Sequence, residues 1–256
     1  MIKAAFFDVD GTLLSHKTKQ IPQSAVKALE ALKARGIRCI VATGRQIHEM
    51  EKLPMGGVTF DGYITMNGQL TLDEGKEPLY GMPLQGEVKD YALTLFREKQ
   101  IPVILVERNR LYVNAESQRV TDVQTSISSR VPPVGEYAGA EIYQACLYIR
   151  SDEEQVLKPI AGKCVVTRWH PGGVDVIARG GGKRTAVERY CREQGWKREE
   201  IIAFGDSEND LEMIRYAGIG VALGNAEPEV RAAADYITAD IDDDGVEKAL
   251  KHFGLI

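Results

Sequence analysis

Asp8 and Asp10 stand two residues apart where an apolar run ends, "AAFFDVDGTLL", and Asp206, Asn209 and Asp210 follow a second such run, "IIAFGDSEND". Side chains two apart on an extended strand share a face. Two carboxylates held about 5 Å apart repel by roughly 3 kcal/mol at an effective dielectric of about 20. Gathering Asp8, Asp10, Asp206 and Asp210 in one crevice therefore calls for a proton or a cation. An all-oxygen donor set on a compact site suits Mg²⁺, which keeps several waters and commonly bridges carboxylates to a phosphate. These four acids are the candidate metal site.

The elements that must position them alternate between strand and helix at both ends of the chain. "IKAAFFDV" reads as a buried strand, and "IPQSAVKALEALKARG" as a helix, with Val26, Leu29 and Leu32 at helical spacing and Gly36 as its stop. A second strand, "IRCIVATGR", delivers Thr43, Gly44 and Arg45; a short helical segment follows, and "YITMNGQLTL" reads as a strand entering a turn at Asn67 and Gly68. Near the C-terminus the alternation resumes through "KRTAVERYCREQG", "IIAFGD", "NDLEMIRYAG", "IGVAL" and "PEVRAAA". Such a pattern implies an α/β fold with a parallel sheet covered by helices. Ligands of these sheets sit outside the carboxyl ends of the strands. The segments carrying Asp8, Thr43 and Asp206 are therefore expected to converge.

The middle of the chain reads differently. Hairpin-type pairs ("IPVILVERNRLYVN", "CVVTRWHPGGVDVIA"), the strand "IYQACLYIRS" and helices at "VKDYALTLFREKQ", from Ser117 and at "DEEQVLKPIA" imply an antiparallel sheet with helices on one face. The expected organisation is a catalytic core of residues 1–83 and 180–256 with an α+β domain of residues 84–179 inserted into it. Glycine and proline in "GMPLQG" and "ARGGGK" supply the hinges.

Composition narrows the function. The 256 residues are 44% hydrophobic and 27% charged, enough for a sizeable core, and the formal charge of −5 leaves no basic stripe for a nucleic acid backbone. No apolar run approaches the roughly 18 residues of a membrane span, and "MIKAAFFDVD" meets an acid too early for a signal-peptide core. The expectation is a cytoplasmic protein. Cys39, Cys146, Cys164 and Cys191 form no C-x-x-C pair and read as reduced thiols.

The strings "DVDGT" and "ATGR", the lysine of "GGGKRT", and "GDSENDLEM" occur in the order of the four motifs of the haloacid dehalogenase superfamily, which the chain resembles over its whole length. The insert lies between the second and third motifs and resembles the large α/β cap of the Cof-type, type IIB sugar-phosphate phosphatases. "MNGQ" resembles an asparagine-glycine turn of that subfamily, with Gln69 where a small residue is usual. The resemblance implies a Rossmann-like parallel-sheet core with a C2-type cap that closes over the crevice. It also makes Asp8 the nucleophile on phosphorus, and Asp10 the acid that protonates the leaving oxygen and then the base that activates water. Mg²⁺ is then held by Asp8, Asp206 and the backbone carbonyl of Asp10, with Asp210 supporting its waters. Thr43 and Lys183 bind the transferring phosphoryl group, Lys183 also pairs with Asp8, and Thr12, Gly44, Arg45 and Asn209 complete the phosphate-binding set. A nucleophile must be ionised and metal-paired, while a neighbour under its repulsion holds a proton more easily. The implied activity is Mg²⁺-dependent hydrolysis of small phosphorylated metabolites, sugar phosphates foremost, by a monomer in preference to a homodimer and with no nucleic acid or membrane partner.

Plainer readings exist for each group. Asp8 and Asp10 fit a strand-end turn, Asp210 a helix cap, Lys183 a solvated surface group, and Arg45 an ion pair. Rival functions are a phosphomutase using the same phosphoaspartate, a dehalogenase, which needs no acid cluster, and a phosphate-metabolite binding module without turnover. Other strings fail: "DIDDDG" begins like a calcium loop but has Lys251 at its twelfth position, and reads as an acidic helix start. "GGGKRT" has Arg184 where a phosphate loop needs Ser or Thr, and His16, His48, His170 and His252 show no metal-ligand spacing.

Overall fold

The structure is a computed structural model that describes residues 1–127 and 129–256. In chain order the elements are β1 (Ala4–Phe7), α1 (Gln23–Ala34), β2 (Arg38–Ala42), α2 (Ile47–Met50), β3 (Gly62–Thr65), β4 (Leu70–Asp73) and β5 (Pro78–Gly81). There follow α3 (Gly86–Glu98), β6 (Val103–Glu107), β7 (Leu111–Val113), α4 (Gln118–Ser126), β8 (Ile142–Leu147), β9 (Cys164–His170) and β10 (Gly173–Ala178). The chain ends with α5 (Lys183–Gln194), β11 (Ile201–Gly205), α6 (Leu211–Tyr216), β12 (Ile219–Ala222), α7 (Pro228–Ala233), β13 (Tyr236–Ile237) and α8 (Gly245–His252). It divides into two compact units, residues 1–80 with 183–256 and residues 81–182.

The first unit is built on a sheet of order β13-β12-β11-β1-β2-β3-β4-β5. The pairings from β13 to β3 are parallel, and β3 and β4 are antiparallel neighbours across the turn at Met66–Gly68. Strands covered on both faces need apolar residues at every position rather than every second one. "AAFF" of β1 and "IIAFG" of β11 meet that need, and all of their residues are buried. Phe6 and Ile40 pack with Val187, Tyr190 and Cys191 of α5 and Met213 of α6. On the alternate register Phe7 stacks on Phe204 at 4.9 Å, and the Cys39 thiol reaches the Leu29 carbonyl of α1. The chain leaves β1 toward β2 and leaves β11 toward β12, so the two halves wind in opposite senses from the β1–β11 pair. The loops after these strands part there, and the gap between them is where an α/β sheet receives a ligand.

The second unit carries an antiparallel sheet of order β7-β6-β8-β10-β9. Val103 and Leu105 of β6, Ala145 and Leu147 of β8, and Val174 and Val176 of β10 alternate onto one face, where Val88, Ala92, Leu95 and Phe96 of α3 cover them. The helix expected at "DEEQVLKPIA" is of the 3-10 kind, over Ser151–Ile160. Pro159 has no N–H to donate and its ring crowds the preceding turn, which disfavours a regular α-helix up to that point. The acidic string before α8 forms a short 3-10 turn, Ile241–Asp243, capped by the Asp240 side chain on the Asp242 N–H.

Phe6 is fully buried and meets Tyr190 edge-on at 6.1 Å. Phe6→Ala opens a cavity between β1 and α5 and is expected to destabilise the first unit by about 3–5 kcal/mol in urea denaturation. A loss well under 1 kcal/mol would mean that this face is not close-packed.

Candidate active site

The loops that follow β1, β2 and β11, together with the first residue of α5, bring the candidate residues of the first unit together. Asp8 is fixed where β1 ends, its N–H donating to the Phe204 carbonyl at 3.0 Å. Lys183 opens α5 and is about 1% exposed. Its Nζ donates to Asp8 Oδ1 at 2.5 Å and to Asp210 Oδ1 at 2.6 Å. A solvated surface lysine is thereby excluded. Burial disfavours the ammonium, yet the Asp210 and Asp8 carboxylates outweigh it and hold Lys183 above its ordinary value.

Asp210 stands at the N-cap of α6, but its side chain makes no capping bond to that helix. Its Oδ2 accepts the N–H groups of Asp206 and Ser207 at 3.0 and 3.1 Å, closing its own loop, while Oδ1 faces Lys183. Gly205 makes this possible, since a Cβ there would lie 2.4 Å from the Asp210 Cβ. Asp206 takes the Thr12 hydroxyl on Oδ1 at 2.6 Å and the Ser207 hydroxyl on Oδ2 at 3.1 Å. Thr12 is fully buried with its hydroxyl donated to Asp206, so its side chain orients a carboxylate where contact with phosphate was expected. Gly11, at φ +88°, allows the close approach, because a Cβ there would fall 2.2 Å from Asp206 Oδ2.

Carboxylate oxygens of Asp8, Asp206 and Asp210, all buried, lie within 4.8 Å of one another. Asp10 does not join them. Arg45 Nε and Nη2 donate to its two oxygens at 2.6 and 2.7 Å, a bidentate ion pair that realises one of the two readings of Arg45. Burial opposes the Arg45 charge, but Asp10 more than offsets it and raises the group. The four acids thus divide: Asp10 has its own cation, Asp8 and Asp210 share Lys183, and Asp206 lies beside them.

Burial and mutual repulsion bear on two of these three acids. Burial, then Asp210, pushes Asp8 well above the ordinary carboxylate range, with Lys183 opposing. Burial and Asp210 push Asp206 up to about 7. Three buried carboxylates offering hard oxygen donors, with one ammonium between two of them, fit a divalent cation of the oxygen-loving kind. Asp8 and Asp206 would hold it, with Asp210 behind them.

Thr43 is about 1% exposed, its N–H on the Ile64 carbonyl at 2.8 Å. Its Oγ1 accepts the Arg45 N–H at 3.1 Å, which leaves the hydroxyl proton to donate to an anion. Gly44 passes close to Asn67, and Asn209 Nδ2 donates to Asn67 Oδ1 at 2.9 Å. The sequence reading missed two contributors. Asn225 donates to the Gly11 carbonyl at 2.8 Å and accepts the Ile241 N–H, bracing the turn after Asp8. Ser207 supports Asp206 as described. A lone Asn or Ser 214 or 1 positions from its partner carries no spacing signal.

Comparison with known proteins identifies the family and the fold. Residues 5–250 match the family model of the haloacid dehalogenase-like hydrolases. The chain is 31% identical over 257 residues to a Bacillus subtilis (strain 168) protein named "Putative phosphatase YkrA", covering 99% of this chain and 98% of that one. It is 28% identical over 262 residues to 5-amino-6-(5-phospho-D-ribitylamino)uracil phosphatase YcsE of the same organism, covering 99% and 96%. Among solved structures it is similar to BT1666 from Bacteroides thetaiotaomicron, a phosphatase of the haloalkanoate superfamily, with a TM-score of 0.88 and 35% identity over 100% and 96% of the two chains. It is also similar to BT4131, a subclass IIB sugar phosphatase, with a TM-score of 0.85 and 37% identity over 99% and 100%.

A group whose folded-state pKa is raised stabilises the fold below its unfolded value, and that contribution is lost as pH rises through the folded value. For Asp206 the window runs from its ordinary 3.8 to about 7. In chelator, the thermal midpoint is expected to fall across that window, and Asp206→Asn to flatten part of the fall. Identical slopes in the two proteins would contradict the burial and repulsion described for Asp206.

Proposed function

The chain belongs to the haloacid dehalogenase-like hydrolases and is a phosphatase of that family, and from this premise we propose that it is a Mg²⁺-dependent hydrolase of small phosphorylated metabolites that works through an aspartyl-phosphate on Asp8. The observation that carries the reading is the buried Lys183 bridging Asp8 and Asp210 beside Asp206.

Lys183 holds Asp8 Oδ1 and fixes the rotation of the carboxylate. A bound Mg²⁺ supplies charge neutralisation for the cluster and for the phosphate oxygens. Asp8 attacks phosphorus, a bond forms between its carboxylate oxygen and phosphorus, and the ester oxygen leaves with a proton from Asp10. A water then attacks the phosphoaspartate while Asp10 takes its proton, which restores Asp8 and frees phosphate. Arg45 uses one lone pair on each Asp10 oxygen, so the proton that Asp10 hands on is carried on a lone pair turned away from the guanidinium. Thr43 offers its hydroxyl to the phosphoryl group, joined by Lys183 and, at its edge, Asn209. Acid-base help contributes about 10²–10⁴-fold. Most of the acceleration therefore comes from charge neutralisation and positioning.

Sugar and polyol phosphates are the leading substrates. One relative acts, by its name, on a ribityl phosphate, and one structural neighbour is a sugar phosphatase. Specificity is assigned to the unit of residues 81–182, inserted between Arg45 and Lys183 in the chain.

The test is phosphate release from an aryl phosphate and a panel of sugar and polyol phosphates, with Mg²⁺ and with chelator, for the native protein and Asp8→Asn. Release is expected with Mg²⁺ and not with chelator, falling by more than about 10³-fold in the variant. Metal-independent release, or activity surviving in Asp8→Asn, would overturn the proposal, and a positional isomer without free phosphate would point to a mutase.

A further inference from the structure

Met66, Asn67 and Gly68 follow one another in the left-handed region, at φ 50°, 54° and 86°. Only the glycine enters that region without steric cost, and an asparagine tolerates it better than most residues. A methionine and an asparagine held there in succession persist only where the surroundings over-determine them. The hydrogen bonds of the turn show what does so. Met66 donates its N–H to the Arg45 carbonyl and Asn67 donates its N–H to the Thr43 carbonyl, both at 3.0 Å. The segment that carries Thr43 and Arg45 is thus stapled at both ends to this turn.

The Asn67 side chain, about 2% exposed, extends the connection to a second loop. Its Oδ1 accepts Asn209 Nδ2 at 2.9 Å, and the same amide lies so close to Gly44 that a Cβ there would be 3.1 Å from Oδ1. Asn209 is one residue before Asp210, whose carboxylate meets Lys183. One residue therefore ties the Thr43 segment by its backbone and the Asn209–Asp210 loop by its side chain.

We propose that Asn67 is a positioning residue that sets the spacing between Thr43 and Asn209, and that the left-handed turn exists to present its amide to both segments. The effect on catalysis rests on the phosphatase reading above, whereas the effect on the position of segment 43–46 does not. A shift of about 1 Å in groups that hold a substrate can cost on the order of 10²-fold in rate.

The experiment compares the native protein with Asn67→Gly, which accepts the left-handed backbone and deletes the amide, and with Asn67→Asp, which keeps the backbone preference and the acceptor oxygen. Three readouts are taken on each: kcat and KM for an aryl phosphate, inhibition by inorganic phosphate, and hydrogen exchange of residues 43–46. Asn67→Gly is expected to lower kcat/KM by about 10–100-fold, to weaken phosphate inhibition and to speed exchange in segment 43–46, with Asn67→Asp between it and the native protein. An unchanged kcat/KM and unchanged exchange in Asn67→Gly, or an Asn67→Asp no better than the glycine variant, would overturn the proposal. Should Asn67→Gly not fold, Asn67→Asp with native kinetics and faster exchange would also overturn it. A native protein that releases no phosphate would count against the phosphatase reading alone, and exchange would still decide the role of Asn67.

Discussion

The buried ammonium of Lys183 is the interaction on which the active site depends. It stands at the first residue of α5 with almost no exposure and binds Asp8, from the loop after β1, and Asp210, from the loop after β11. Breaking a buried pair by removing one partner typically costs 3–5 kcal/mol, because the remaining charge is left without compensation. The sheet order makes the contact possible: β1 and β11 are neighbours, and their loops leave in opposite directions from the same edge. The rest of the site is arranged around one cation facing three acids. Backbone N–H groups neutralise part of Asp210, hydroxyls serve Asp206, and Arg45 takes Asp10 out of the cluster. What remains uncompensated is the charge a divalent cation would meet.

Steric economy matters as much as charge. Gly11 and Gly205 are places where carboxylates lie against the backbone, and a methyl at either would collide with Asp206 or Asp210. The strained turn at Met66 and Asn67 is the converse case, since residues with side chains occupy glycine-like backbone there, and Asn67 bonds one loop by its backbone and another by its side chain.

Much of this was legible in the sequence because it depends on where strands end. Asp8, Thr43 and Asp206 lie just past apolar runs, and α/β topology sends such positions to one crevice. The parallel sheet was readable from the alternation of strand and helix, and the antiparallel insert from its hairpin-type connections. The electrostatic division of labour was not. Spacing suggested four gathered carboxylates, yet Arg45 isolates Asp10, and a salt bridge across 35 positions leaves no periodic trace. Thr12 looked like a phosphate contact but faces Asp206, and Asn225 could not be found because its partner, Gly11, lies 214 positions away. The turn at Asn67 was visible as a turn, while its hold on Thr43 and Asn209 belongs to the folded backbone alone. A helix expected near Asp152 became a 3-10 helix because Pro159 limits the regular alternative.

The most direct test of the central claim is to trap the phosphoryl group on the chain. Rapid acid quench of the native protein during turnover of an aryl phosphate with Mg²⁺, followed by peptide mass mapping, is expected to find phosphate on Asp8, with Lys183→Met accumulating little of it. Phosphate on another side chain, or turnover at full rate with none trapped and no dependence on Lys183, would contradict the account.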